Sequence, residues 1–83
     1  MSTQRRRRRR RRFDTVEIVF RRVLIGGRRF RIITAVFVRG SARPCRSLLM
    51  VGDRVGPAVR CLLNNGFRLI FRGTNTLIFR RRR

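Results

Sequence analysis

Guanidinium is the one reactive group this chain carries in quantity. Its 24 basic residues are all arginine, set against three acids in 83 residues, for a formal charge of +21. A guanidinium presents five N–H donors in a planar fork, which pairs two phosphate oxygens at once and stacks on an exposed base. Like charges at this density call for an external anion, and nucleic acid is the common polyanion that matches it. RNA is expected over DNA, because its unpaired bases add a stacking surface.

Other chemistries lack their parts. Asp14, Glu17 and Asp53 are the only carboxylates, and no histidine or lysine stands in as a base. Ser41 and Ser47 have no triad partner, and no phosphate-cradling loop carries a lysine. The chain therefore reads as a non-enzyme, with no small-molecule substrate and no cofactor. Cys45 and Cys61 supply two ligands where a closed zinc site needs four, so no metal is expected. They read as two small buried hydrophobes of a reducing compartment, with a single disulfide as the alternative. Glu17 reads as the partner of an arginine on a neighbouring strand. Of the phenylalanines, Phe20, Phe30, Phe37, Phe67, Phe71 and Phe79 read as interior rings. Phe13, beside the arginine run, is the ring expected to stack on a base.

The charge is unevenly spread. Runs of eight arginines (Arg5, Arg6, Arg7, Arg8, Arg9, Arg10, Arg11, Arg12) and of four (Arg80, Arg81, Arg82, Arg83) leave twelve for the stretch between them. With all three acids, that stretch from Phe13 to Phe79 carries a net +9. The division is a basic tail over 1–12, a foldable domain over 13–79 and a basic tail over 80–83. A free polyarginine run is disordered by self-repulsion and becomes ordered in a groove between RNA helices. The N-terminal run has no amphipathic period and no secretory apolar region, and reads as a retained tail. No stretch reaches the ~20 apolar residues of a membrane span, and no membrane partner is expected. A domain this small buries only about 60% of its unfolded surface, so folding is expected to depend on the partner.

Apolar periodicity supplies the elements. Val16, Ile18 and Phe20 alternate with Glu17, Val19 and Arg21, which predicts a strand continuing to Ile25. Gly26-Gly27 predicts a tight hairpin turn. A second strand is predicted over Arg28 to Val38, with Phe30, Ile32, Thr34, Val36 and Val38 on one side and Arg29, Arg31, Ile33, Ala35 and Phe37 on the other. Arg39 to Arg46 is a loop by composition, and Ser47 to Val51 is predicted as a short third strand. A helix is predicted from about Val55 or Gly56, N-capped by Asp53, with Pro57 in its first turn and Gly66 past its end. Phe67 to Phe71 and Thr76 to Phe79 are predicted to pair around an Arg72–Asn75 turn. The fold class is α+β: a small antiparallel sheet of three or more strands covered on one face by one helix.

At Gly26-Gly27-Arg28-Arg29-Phe30-Arg31, followed by Thr34-Ala35-Val36-Phe37-Val38, the chain resembles the N-terminal domain of small-subunit ribosomal protein five. Val16-Glu17-Ile18 upstream, Val55-Gly56-Pro57-Ala58-Val59-Arg60 at the helix start and Leu69-Ile70 after it extend the resemblance over Asp14 to Phe71. The family's loop and third strand are glycine-rich, whereas Ser41 to Met50 contains no glycine. The family also continues into a second domain for which these residues leave no room. The resemblance implies a reduced organellar member, a fold similar to double-stranded-RNA-binding domains, contacts to small-subunit ribosomal RNA and neighbouring small-subunit proteins as partners.

The RNA-contacting set follows from these readings. It comprises the arginines of both terminal runs, the hairpin group Arg21, Arg22, Gly26, Gly27, Arg28, Arg29 and Arg31, and the loop residues Arg39 and Arg43. The expected role is a structural constituent of a small ribosomal subunit, in a mitochondrion or alternatively another organellar or cytoplasmic ribosome. The rival is an arginine-rich protein that condenses or packages nucleic acid, which leaves the patterned apolar middle without a purpose.

Overall fold

The computed structural model describes residues 12–82. Strand β1 (Phe13–Ile25) turns into β2 (Arg28–Arg39), helix α1 (Val55–Asn64) follows a long connection, and β3 (Arg68–Arg72) and β4 (Thr76–Arg82) form a second hairpin. All pairings are antiparallel, in the spatial order β2-β1-β4-β3. The two hairpins thus join through the central β1–β4 pair. Helix α1 connects the outer strand of one to the outer strand of the other, contacts both, and covers one face. This is the α+β class that the periodicity predicts.

The covered face follows from alternation on β1. Val16, Ile18 and Phe20 are buried, and so are Leu77 and Phe79 of β4, which pair with Ile18 and Val16. Val55, Ala58 and Leu62, at helical spacing on α1, close the core from below. Gly66, at φ +89°, ends the helix in the left-handed conformation. The Phe67 N–H then donates to the Leu62 carbonyl at 3.0 Å, the six-to-one bond of a Schellman cap, and both side chains are buried together. Gly26 and Gly27, at φ +57° and +79°, give the two left-handed positions of a type I′ hairpin turn.

Several expectations are corrected. Strict alternation puts Ile33 opposite to Val36 and Val38, but β2 carries a bulge at Thr34: Val19 pairs with Ala35 and Phe20 with Ile33. The extra residue carries Ile33 onto the covered face, where it is buried, and Arg31 and Arg29 follow it. Thr34 Oγ1 donates to the Val19 carbonyl at 3.1 Å across the irregularity.

Ser47 to Val51 forms no strand. Arg46–Leu48 winds into a single 3-10 turn, and of the apolar run only Leu49 is buried. Its continuation touches β2 through two backbone bonds, Gly52 N–H to the Ile33 carbonyl and Ile33 N–H to the Asp53 carbonyl, both 2.8 Å. Asp53 does not cap the helix. The N-cap is Arg54, without a side-chain cap bond, because the Asp53 carbonyl is already drawn to β2. Arg80, Arg81 and Arg82 belong to β4, so the sheet runs past residue 79.

The cysteines are also corrected, since they are not two separate buried thiols. Cys45 and Cys61 form a disulfide that ties the connection after β2 to α1. Asn65 Nδ2 lies against both sulfurs and donates to the Cys61 carbonyl at 2.8 Å. The sequence separation of 16 puts the loop-closure contribution at about 3 kcal/mol. Replacing both cysteines by serine is expected to lower unfolding free energy by about this amount in urea titrations. The same titration with a reductant on the native chain should reproduce the loss.

Candidate nucleic-acid interface

Strand β4 stops pairing with β1 at Val19, opposite Thr76, and Phe20 N–H makes a last bond to the Asn75 carbonyl at 2.9 Å. Beyond that point β1 and β2 continue alone, pairing from Arg21–Ile32 out to Ile25–Arg28. The result is a two-stranded arm about 17 Å long at strand rise. Arg21, Arg22, Arg28, Arg29 and Arg31 are all exposed on it, with no acid among them. Register divides them. Arg22, Arg29 and Arg31 share the face of Phe20, and Arg21 and Arg28 lie on the opposite one. The sequence-predicted hairpin group, Gly26 and Gly27 included, is therefore one projecting structure.

Arg22 and Arg31 are direct cross-strand partners, an arrangement that costs free energy for like charges. Both guanidiniums lie over the Phe20 ring, 5.4 and 5.3 Å from its centroid, and Arg22 donates to the Thr74 carbonyl at 3.0 Å. Together with Arg72 they rim a groove of about 370 Å³ floored by Phe20 and Phe79. Three cations around one apolar floor suit a phosphodiester on the rim. Arg72 is absent from the sequence-predicted set because it reads as the start of a turn. Arg54, also absent from it, stacks on Phe30 at 4.3 Å.

The remaining predicted residues divide. Arg12, Arg39, Arg43, Arg80 and Arg82 are exposed. Arg80 lies over the Phe13 ring at 4.4 Å, and that ring is half-buried. Arg5, Arg6, Arg7, Arg8, Arg9, Arg10, Arg11 and Arg83 lie outside the described residues.

Arg81 is the correction. Its Nε and one terminal nitrogen donate to Asp14 Oδ2 at 3.0 and 2.7 Å, and the same terminal nitrogen reaches the Ser41 carbonyl at 3.3 Å. The other terminal nitrogen donates to the carbonyls of Arg43 and Asn65 at 3.0 and 3.1 Å. The guanidinium also stacks on Phe67 at 4.3 Å. Asp14, 2% exposed, accepts from Ser41 N–H through its other oxygen at 2.9 Å. Arg81 is thus an internal strut with no donor left for phosphate. Glu17 has no ion pair among the described residues; it sits between Phe37 and Ile78, so Asp14 is the acid that holds an arginine.

Two rings depart from the interior set. Phe20, Phe67 and Phe79 are buried, but Phe37 and Phe71 are 58% and 51% exposed. Alternation alone cannot reveal this, because among the described residues only one face of the sheet has a helix over it.

Asp14→Ala is expected to cost roughly 3 kcal/mol, the low end for breaking a buried pair because Arg81 keeps some solvent contact. Arg80→Gln and Arg82→Gln should leave the urea midpoint within experimental error while weakening RNA binding. Equal stability loss at all three positions would refute the distinction.

Set beside known proteins, the chain matches no family model, no curated protein and no solved structure.

Proposed function

We propose that this protein is a structural RNA-binding constituent of a ribonucleoprotein particle, held mainly by arginine–phosphate contacts. The arm carries this reading: five exposed arginines and no acid on a two-stranded ribbon that β4 leaves unpaired. A ribbon of this kind enters the cleft between RNA helices and reads shape and backbone, which suits a component placed by assembly. The resemblance to small-subunit ribosomal protein five supports a small ribosomal subunit as the particle, in a mitochondrion or another translating compartment. The residues that carry the resemblance form the Gly26-Gly27 turn and the helix starting at Val55, whereas residues 47–51 form no strand.

A pure condensing polycation is less well supported. Such a protein needs no buried core, disulfide or fixed arm, since counterion release alone drives its binding.

Affinity for folded small-subunit ribosomal RNA is expected to fall very roughly 10³–10⁵-fold between 50 and 200 mM salt, as for six to ten phosphate contacts. Replacing Arg21, Arg22, Arg28, Arg29 and Arg31 by glutamine should reduce the slope of log affinity against log salt by roughly four. An unchanged slope would remove the arm from the interface. Equal affinity for duplex DNA and folded ribosomal RNA would favour the condensing protein.

A further inference from the structure

The face of the sheet opposite α1 has no covering element among the described residues. Its residues are fixed by register. Phe37 pairs with Glu17, Glu17 with Ile78, and Ile78 with Phe71, so one row crosses all four strands with an exposed phenylalanine at each end. Three strand spacings separate the rings by about 14 Å. The adjoining row is Arg39, Thr15, Arg80 and Arg68. Beyond it, Arg82 pairs with Phe13, and a groove of about 660 Å³ opens at this end of the sheet between Phe13, Arg68, Ile70, Arg80 and Arg82, with Gly66 and Arg81 on its other wall. On the other side of the phenylalanine row, Arg21 and Arg28 continue the same face onto the arm.

We infer that this open face binds unpaired nucleotides of RNA, with bases stacked on Phe37 and Phe71 and phosphates on the flanking arginines. The inference rests on the RNA-bound reading above and adds the part of the ligand that is read and the surface that reads it. Two features select the occupant. Arg39, Arg80 and Arg68 adjoin the aromatic row on one side, and Arg21 lies beyond the Ala35–Val19–Thr76 row on the other, so a strand crossing the rings meets cations outside its bases. The same charges oppose a second copy of this chain, whose face would bring its own arginines against them. Gly73 leaves the space in which the Phe71 ring rests, since a Cβ there would stand 3.0 Å from it.

The test compares the full chain with Phe37→Ala, Phe71→Ala and the leucine variants at both positions. The probes are a short single-stranded oligoadenylate and an abasic ribose-phosphate chain of equal length. Both side chains are largely exposed, so circular dichroism should show unchanged folding. Each alanine is expected to weaken oligoadenylate binding about tenfold and leave the abasic chain unaffected. Leucine should fail to restore binding, because it retains apolar area without a π face. Upfield shifts of phenylalanine ring protons on adding oligoadenylate would report the stacking directly. Equal binding of the two probes overturns this inference alone, since phosphate contacts would then account for everything. Failure of the native chain to bind either probe would count against the RNA-bound reading itself and take this inference with it. Concentration-dependent dimers in sedimentation, lost on Phe37→Ala and kept on Phe37→Leu, would overturn it in favour of a second copy.

Discussion

The ion pair between Asp14 and Arg81 is the constraint on which the remaining structure depends. It joins β1 to β4, the two central strands, at the end where their pairing is otherwise finished by arginines. All five guanidinium donors find acceptors: Asp14 twice, then the carbonyls of Ser41, Arg43 and Asn65. Those carbonyls belong to the connection after β2 and to the helix end, so one side chain fixes the sheet, the connection and the helix together. Burying an ion pair generally costs more desolvation than its attraction returns. Here the cost is offset because neither partner keeps an unmet hydrogen-bonding need. A lysine could not take this place, having three donors at a single point in place of a planar fork.

That strut also sets where the other charges go. The covered core is apolar apart from Asp14, so every other arginine must reach solvent or lie across a ring. Phe20, Phe30, Phe13 and Phe67 each have a guanidinium over them. With no tyrosine or tryptophan present, phenylalanine acts both as core and as the support that orients arginines at its edge. The arm takes the crowding furthest, with Arg22 facing Arg31. It is paired on one side only and has little buried surface, so it is the part of the sheet most easily opened and most dependent on an external anion.

Much of this was legible from residue order. The Gly26-Gly27 turn, the alternation on β1, the helix bounds and the second hairpin all follow from local chemistry, which needs no knowledge of distant residues. The failures are non-local. Thr34 becomes a bulge because both Ile33 and Val36 must face the core, which no single alternation permits. Ser47 to Val51 has a strand's composition, yet Arg46–Leu48 winds into a 3-10 turn and the backbone reaches β2 only at Gly52 and Asp53. Arg81 stands in a run of four arginines that look equivalent, and only its position across from Asp14, 67 residues away, makes it structural. Arg72 is missed for the opposite reason: a turn residue in sequence is a groove wall once Phe20 lies beside it.

A folded scaffold gives a polycation something that charge alone does not. Free polyarginine gains affinity from released counterions and gains it equally on any polyanion of the same charge density. Fixing arginines to a sheet adds spacing, and spacing distinguishes one arrangement of phosphates from another. The one α-helix among the described residues matters here for what it leaves uncovered. By linking the two outer strands along one face, it commits the aliphatic core to that side and leaves the other side to the row Phe37, Glu17, Ile78 and Phe71 with arginines beside it. Closing both faces would need a second helix, and with it the apolar residues that this small chain has given over to arginine. The exposed face is therefore a direct consequence of composition, with a phenylalanine on each outer strand, Glu17 and Ile78 between them, and arginines in the row beside them.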